Sequence, residues 1–481
     1  MRIGLLLAAG RCVESRSLHR QWLLCADMEW SQNYGKTKFQ KFGFGVNQVN
    51  IEMDVTDSRG TLPKERAVPD SCPPNPLFEQ VLEIAKDAYI DPIKGAAFSE
   101  QSGKFNCQIK SRQDAVDRAN EVLETAGDPY TSVFLFDQKT EAPGKVKGDS
   151  PPVGIGLYLV PPKDFTKAVS SSENSLVQFV FPGGPADKAG LKAGDIILSV
   201  DGKSTNGLSQ EQSIGLLEGK ANSRALIKVD RDGKMLDLSP IRGQFEEPTV
   251  ISQVVDDNVL YLKIMDFMND NVDVDIKEAM QNHPKSSAFI IDLRGNPGGY
   301  VNEFEETASL FIQSGNLYYK DGRPNDKSGA GTSTGISYLR DNDLISTSGS
   351  GEAVVTKRNP NLAGTKPIVI LADGDSASAS EMFIGALSDN NRAKVVGERT
   401  YGKGIMQGAY ELEPDVELHV TMARYRTPAG RWPGDANKNR FGILPDIEVK
   451  QDPFYVPLSA ADEQFRKALE TVKGIEKSNF K

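Results

Sequence analysis

No apolar run in the 481 residues approaches the roughly 18 needed to cross a bilayer. That excludes an integral membrane protein beyond an N-terminal anchor. Positive charge is in deficit: 56 Lys and Arg face 66 Asp and Glu, a net charge of −10 and a pI near 5.2. A dedicated nucleic-acid binder would carry the opposite balance. Cysteine is confined to Cys12, Cys25, Cys72 and Cys107. They show no C-x-x-C spacing of the metal-binding kind, and the long remainder of the chain can run no thiol chemistry. Three disulfide pairings are open, as is no pairing at all. Histidine is scarcer still: His19, His283 and His419 are the full set. None lies beside a glycine-flanked serine, so a Ser-His-Asp triad has little support. If a hydroxyl is activated, a neutral lysine is the better base.

What is present is a soluble globular composition with apolar residues at 38% and charged residues at 25%. The length predicts two to four domains. Met1–Ala9 has one Arg followed by a short apolar stretch, which hints at a signal peptide. No small-x-small cleavage site follows, and Arg11 before Cys12 spoils a lipoprotein site. The plain alternatives are a buried strand or a displaced start codon. Residues 1–74 read as a variable lead-in ending in P-D-S-C-P-P-N-P. Residues 75–152 read as an N-terminal helical region, with helices expected over Leu77–Tyr89 and Arg112–Ala126, and a Pro/Gly/Lys linker over Glu141–Pro152.

From Val153 short apolar strands alternate with Gly-rich turns up to about residue 245. From Val250 strands alternate with helices. The expected strands are Val259–Ile264, Ala288–Leu293 and Pro367–Ala372, and the expected helices are Val274–Asn282, Glu303–Gln313 and Ala379–Ser388. This predicts an α/β core over 250–455 with a mixed, partly parallel sheet flanked by helices. Residues 320–366 are polar and Gly/Ser-rich, which suggests a hairpin insertion or lid. Residues 456–481 complete the chain as a helix and tail.

In the first of these regions, Pro185-Ala186, Ala189-Gly190-Leu191, Gly194-Asp195 and Asp201-Gly202 resemble a PDZ domain, with the helix Ser209–Leu217 and the strand Ala225–Val229 completing the pattern. Such a module adds an extended peptide to a sheet edge and holds its terminal carboxylate on backbone N–H groups. Gly154, Ile155, Gly156 and Leu157 look like that carboxylate loop; alone, the glycines would mean only a tight turn.

Three pieces of the second region carry chemistry. Asp373–Glu381, D-G-D-S-A-S-A-S-E, joins a strand to a helix, where N–H groups and the helix dipole suit an oxyanion. Its plain alternative is a capping box, Ser378 with Glu381. In Tyr401–Gln407 a lysine sits between two glycines that let the backbone approach another element; the alternative is an exposed hairpin lysine. Ile290–Gly299 ends a buried strand in R-G-N-P-G-G, an oxyanion donor or a structural turn.

Together, and in this order after a PDZ module, the pieces resemble the carboxy-terminal processing (tail-specific) proteases. The likeness extends to G-D-P-Y-T at Gly127–Thr131, to Arg424–Arg431 and to Gly442–Ile447, and it covers about residues 76–449. The resemblance implies that Ser378 is the nucleophile, Lys403 the general base and Gln407 the residue that orients the lysine. If the chain is extended there, 403 and 407 point to one face. It implies an oxyanion hole from the N–H groups of Ala379 and Gly298, with Gly299 the second choice, and structural roles for Ser376 and Ser380. The implied activity is that of a serine endopeptidase that forms an acyl-enzyme on protein or peptide substrates with apolar C-terminal tails. No metal, organic cofactor or nucleic acid is implied. The implied place is outside the cytoplasm, in the periplasm or cell envelope ahead of the thylakoid lumen, with peripheral membrane contact allowed and any adaptor unknown. The competing reading is a non-catalytic PDZ scaffold on a protease-like fold; the joint presence of Ser378, Lys403 and Gln407 argues against it. A trypsin-like protease with a PDZ appendage would need a histidine and the reverse order. The lead-in, 320–366 and Trp432–Arg440 depart from the family pattern, which bears on substrate choice rather than chemistry.

Overall fold

The computed structural model of the chain describes residues 13–17 and 20–24 and, apart from 106, 137–152, 161–173, 257, 324–333, 348–352, 436 and 453, residues 73–479. The signal-segment expectation and Cys12, His19, Cys25 and Cys72 lie outside these residues. Two compact units are present, Met1–Asp70 and Ser71–Lys481. In the first, Val13–Ser17 pairs antiparallel with Arg20–Leu24, Val13 opposite Leu24.

The second unit begins with the helices Pro76–Ala88, Pro92–Ser99 and Arg112–Leu123. Asn75, Asp91 and Ser111 cap them by accepting backbone N–H groups, and proline at the start of the first two costs no hydrogen bond. The helix Pro92–Ser99 has no counterpart in the sequence reading, because its short segment shows little periodicity. The apolar faces of these helices close on one another and on a sheet. Phe78, Val81, Leu82 and Leu123 share a core with Val416, Leu418 and Val420. The strand Ser132–Leu135 pairs antiparallel with Val416–Arg426 and so joins a seven-stranded sheet further along the chain. The helical region is thus fastened to the core, and it carries G-D-P-Y-T to the sheet.

Residues 153–244 contain an antiparallel sheet whose edge strand is Leu157–Val160, together with the helix Gln210–Leu217 capped by Ser209 and Gln212. Ile155, Val177, Leu191, Ile197 and Val229 give this module a core of its own.

The next layer is a six-stranded sheet in the order Val250–Val255, Val259–Ile264, Ala288–Asp292, Ile368–Ala372, Lys394–Gly397, Ile447–Glu448. The first pair is antiparallel and the other four pairs are parallel. Its three central strands are buried at every position, as a sheet covered on both faces requires. Leu260, Leu262, Phe289, Ile291 and Ile370 face the helices Val272–Asn282, Val301–Ser309 and Ala379–Asp389. The alternate residues Tyr261, Ile290, Val369 and Leu371 face the C-terminal helix Glu463–Asn479 through Phe465, Ala468 and Val472. The segment 320–366 supplies strands rather than a free lid: Gly335–Arg340, Asp343–Thr347 and Ala353–Lys357 extend the seven-stranded sheet from Gly315–Asp321. The helix expected to run to Gln313 ends at Ser309; Leu310, Phe311 and Ile312 continue into the core as a turn.

Candidate active site

Ligand-binding loops of parallel sheets lie at the C-terminal ends of the strands. Two such loops meet here, one leaving Asp292 and one leaving Ala372. A buried ionic cluster fixes the first. Arg294 reaches Asp292 at 2.6 Å and Asp462 at 2.8 Å, and the Tyr261 hydroxyl donates to Asp292 at 2.7 Å. Burial alone would raise the Asp292 carboxyl, but Arg294 and Lys263 outweigh it and hold it at about 2. The turn that follows is pinned by Asn296, which is fully buried; its Nδ2 donates to Ile264 O at 3.1 Å, and its own carbonyl accepts from Ala377 N and Ser380 Oγ, each at 3.0 Å.

The second loop offers three serines, and their surroundings differ. Ser376 Oγ donates to Leu293 O at 2.8 Å and Ser380 Oγ to Asn296 O at 3.0 Å; both residues are fully buried. They tie the two loops together. Ser378 is partly exposed and its hydroxyl donates to nothing among the described residues. Its backbone sits at φ 55° and ψ −117°, a conformation that costs a non-glycine residue roughly 1–3 kcal/mol. The helix Ala379–Asp389 starts immediately after it, and the Ala379 N–H, at the first helical position, has no intrahelical partner. A Cβ added to Gly298 would lie 2.8 Å from Ser378 Cβ and 2.8 Å from Ala379 N, so only glycine lets the first loop press against the serine.

The two loops are joined to the lysine by one side chain. Glu381 is fully buried in the first turn of the serine helix. Its Oε2 accepts the N–H of Ser378 at 3.0 Å and that of Lys403 at 2.7 Å. Its Oε1 accepts from Thr400 Oγ1 at 2.5 Å and Gly402 N at 2.8 Å. Burial pushes this carboxyl up and the four donors oppose it. An added proton would point at an N–H, so the geometry favours the anion. The capping-box alternative and the catalytic reading of Asp373–Glu381 therefore meet in one residue.

Lys403 is carried between Gly402 and Gly404, and the close approach expected of these glycines is real. A Cβ on Gly404 would lie 2.7 Å from the Trp432 ring, and one on Gly402 would lie 3.0 Å from Pro433 O. The segment 432–442 straps over them: Trp432 Nε1 donates to Gly404 O at 2.9 Å and Gly404 N to Gly434 O at 2.7 Å. On the other side lies Tyr130 of G-D-P-Y-T, with Lys403 Nζ 5.3 Å from its ring centre. Burial lowers the Lys403 ammonium below the usual lysine range, against the pull of Glu381 and Asp128. No hydrogen bond joins Nζ to Ser378 Oγ in this structure. On sequence grounds Glu381 is only the cap partner of Ser378 and Tyr130 only a member of G-D-P-Y-T; neither reading places them beside Lys403.

Two expected placements differ. Gln407 does not touch Lys403; its Nε2 donates to the Tyr130 carbonyl at 2.8 Å. Lys403 precedes the strand Ile405–Glu413 and so lies outside the extended run that would align 403 with 407. The Gly298 N–H, expected to face the oxyanion, donates to Asn296 Oδ1 at 2.9 Å. Among the described residues, neither the Ala379 N–H nor the Gly299 N–H meets a protein acceptor. His283 ends the helix Val272–Asn282, and His419 pairs with Glu417; neither bonds to Ser378. Among the described residues, no group of three or more His, Cys, Asp or Glu side chains could hold a metal.

In the PDZ-like module Gly156 has φ 75°, and the Phe245 ring lies 3.2 Å from where a Cβ would stand on either Gly154 or Gly156. Ile155 is buried, and its carbonyl accepts from Ala186 N at 2.7 Å. Leu157 opens the edge strand; Gln210 Nε2 reaches across to Leu159 O at 2.9 Å. A cavity of about 1720 Å³ runs from this loop to Arg294, Pro297 and Asp373 of the core, stopping short of Ser378 and Lys403.

The sequence model of peptidase family S41 matches residues 258–449, which hold the serine, the lysine and the glycine turn together. Named relatives of the chain are carboxyl-terminal-processing proteases. A PDZ model matches residues 180–231. A carboxyl-terminal-processing protease of Picosynechococcus is 28% identical over 417 residues, covering 82% of this chain and 88% of its own. The chloroplastic carboxyl-terminal-processing peptidase 2 of Arabidopsis thaliana is 28% identical over 390 residues, covering 77% and 68%. In fold, the chain matches the crystal structure of a Bacteroides fragilis protein described as an S41 protease, with a TM-score of 0.55 at 16% identity over 82% of this chain and 97% of that one. The chain is a serine-type peptidase built from a PDZ domain and an S41 core.

Proposed function

We propose that the protein is a tail-selective endopeptidase in which Ser378 is the nucleophile and Lys403 the general base. The observation that carries this is the single Glu381 oxygen shared by the amides of Ser378 and Lys403, which locks the two backbones to one point. Lys403 must be neutral to act, and burial moves it in that direction. In the reaction its side chain leaves the Tyr130 ring and takes the Ser378 proton as Oγ bonds to the substrate carbonyl carbon. The carbonyl electron pair moves to oxygen, where Ala379 N–H and the 298–299 turn meet it. Collapse breaks the C–N bond, and Lys403 hands its proton to the departing amine. Water, deprotonated by Lys403, then hydrolyses the Ser378 ester. Gln407 acts through Tyr130 rather than on the lysine itself.

The Gly154–Leu157 loop and the adjoining free edge would take the apolar tail, and the cavity beneath leads it towards the core. The bacterial and chloroplastic relatives support action in an exported or lumenal compartment. The test is digestion of a soluble protein bearing an apolar C-terminal tail, beside the same protein with a charged tail. Cleavage should depend on the apolar tail and vanish in both Ser378→Ala and Lys403→Ala. Cleavage persisting in Ser378→Ala would refute the assignment.

A further inference from the structure

We propose that the face flanking the lysine loop docks an acidic segment of the substrate polypeptide next to the bond that is cut; this rests on the peptidase reading of Ser378 and Lys403. In a chain of net charge −10, Arg399, Arg424 and Arg440 are exposed here and form no ion pair among the described residues. Nearby arginines are neutralised instead: Arg426 by Asp321 and Arg431 by Asp389. The local carboxylate, Asp435, is turned onto the N–H groups of Asn437 at 3.0 Å and Asn439 at 2.8 Å.

The three guanidinium groups are held rather than loose. Arg440 lies 4.0 Å over the Tyr401 ring and its Nε donates to Tyr401 O at 3.1 Å. Arg424 lies 4.8 Å over the Trp432 ring. Arg399 Nη1 donates to Phe441 O at 2.8 Å. Trp432 and Phe441 meet edge to face at 6.1 Å, and Phe441 is 52% exposed. Stacking orients a guanidinium and leaves its N–H edge free for the two oxygens of a carboxylate. The platform is anchored on both sides of Lys403, to Tyr401 by Arg440 and to Gly404 by Trp432. The loop that carries it is tied to Ser378 through Glu381, which accepts the N–H groups of both Lys403 and Ser378. Three unpaired cations around an exposed aromatic ring fit a stretch of Asp or Glu interspersed with an apolar residue.

The test uses the full chain as Ser378→Ala and a fluorescent peptide of alternating Asp and Phe, against the same peptide with Asn for Asp. Exposed pairs are each weak and salt-sensitive, so the acidic peptide should bind roughly 5–30-fold tighter at low salt. The preference should disappear at about 0.5 M salt. It should also disappear in a variant carrying Arg399→Gln, Arg424→Gln and Arg440→Gln. A preference that is absent, or that survives in that variant, overturns the proposal. So does binding of phosphatidylglycerol vesicles without the peptide preference, which would make the face a lipid contact. In parallel, the active chain is given tailed proteins with acidic or neutral flanks. Failure to cut either sinks the peptidase reading, while the peptide titration judges the docking face independently.

Discussion

Replacing Glu381 with Gln changes one atom and tests the joint between the serine and the lysine. Four donors point at the carboxylate, two at each oxygen. The amide fits least badly with its oxygen towards Ser378 and Lys403 and its NH₂ towards Thr400 and Gly402. The Thr400 hydroxyl can turn to accept. The Gly402 N–H then faces another N–H in a buried site, at a cost of roughly 1–3 kcal/mol. The two remaining bonds lose their charge, about 1 kcal/mol each. The sum, about 3–5 kcal/mol, lowers Tm by roughly 3–6 °C in a unit of this size. Catalysis should fall further than stability: a shift on the order of 1 Å between nucleophile and base costs about 100-fold. The assay is kcat on a tailed substrate well below the variant's Tm, with tail-peptide binding as a control, because the PDZ module has its own core. If Glu381→Gln keeps Tm within about 2 °C and kcat within about threefold, short of the losses derived from these bonds, the shared carboxylate does not set the geometry.

Burial depresses Lys403, so its charged form weighs on the folded state below the ordinary lysine pKa, and stability is fully restored only above it. Lys403→Met should therefore raise Tm at neutral pH, with the gain shrinking as pH rises towards that range; a pH-independent gain in thermal melts refutes this. Gly404→Ala drives a Cβ to 2.7 Å from the Trp432 ring. It should destabilise by about 1–3 kcal/mol and lower kcat, and adding Trp432→Ala should recover part of both, as a double-mutant cycle would show. Tyr130→Leu removes the ring that favours the Lys403 ammonium while still excluding water. The acid limb of kcat/KM should then move to lower pH, and an unmoved limb would count against this contact.

How far the sequence could be read turns on which contacts are local. Val259–Ile264 and Ala288–Asp292 were legible because a strand covered on both faces is an unbroken apolar run. The strand-to-helix turn that carries Ser378 was legible because its neighbours in sequence are also its neighbours in space. What was hidden lies at long range. Gln407 meets Tyr130 across 277 residues, and Lys403 lies before the strand, outside the extended run that the parity argument assumes. The Gly298 N–H was lost to Asn296, two residues away, because the turn folds back on its own side chain. Trp432–Arg440 was read as surplus length, yet it is the element that gives both glycines around Lys403 their reason. Glu381 shows why the plain and the catalytic readings need not compete. A helix cap demands a carboxylate at that position, and the same carboxylate has a second oxygen and spare lone pairs. Once the lysine loop comes within reach of them, the cap becomes the joint that ties the Lys403 backbone to that of Ser378. A capping motif at a strained serine is thus no argument against the proposed chemistry when a Gly-Lys-Gly turn shares its carboxylate.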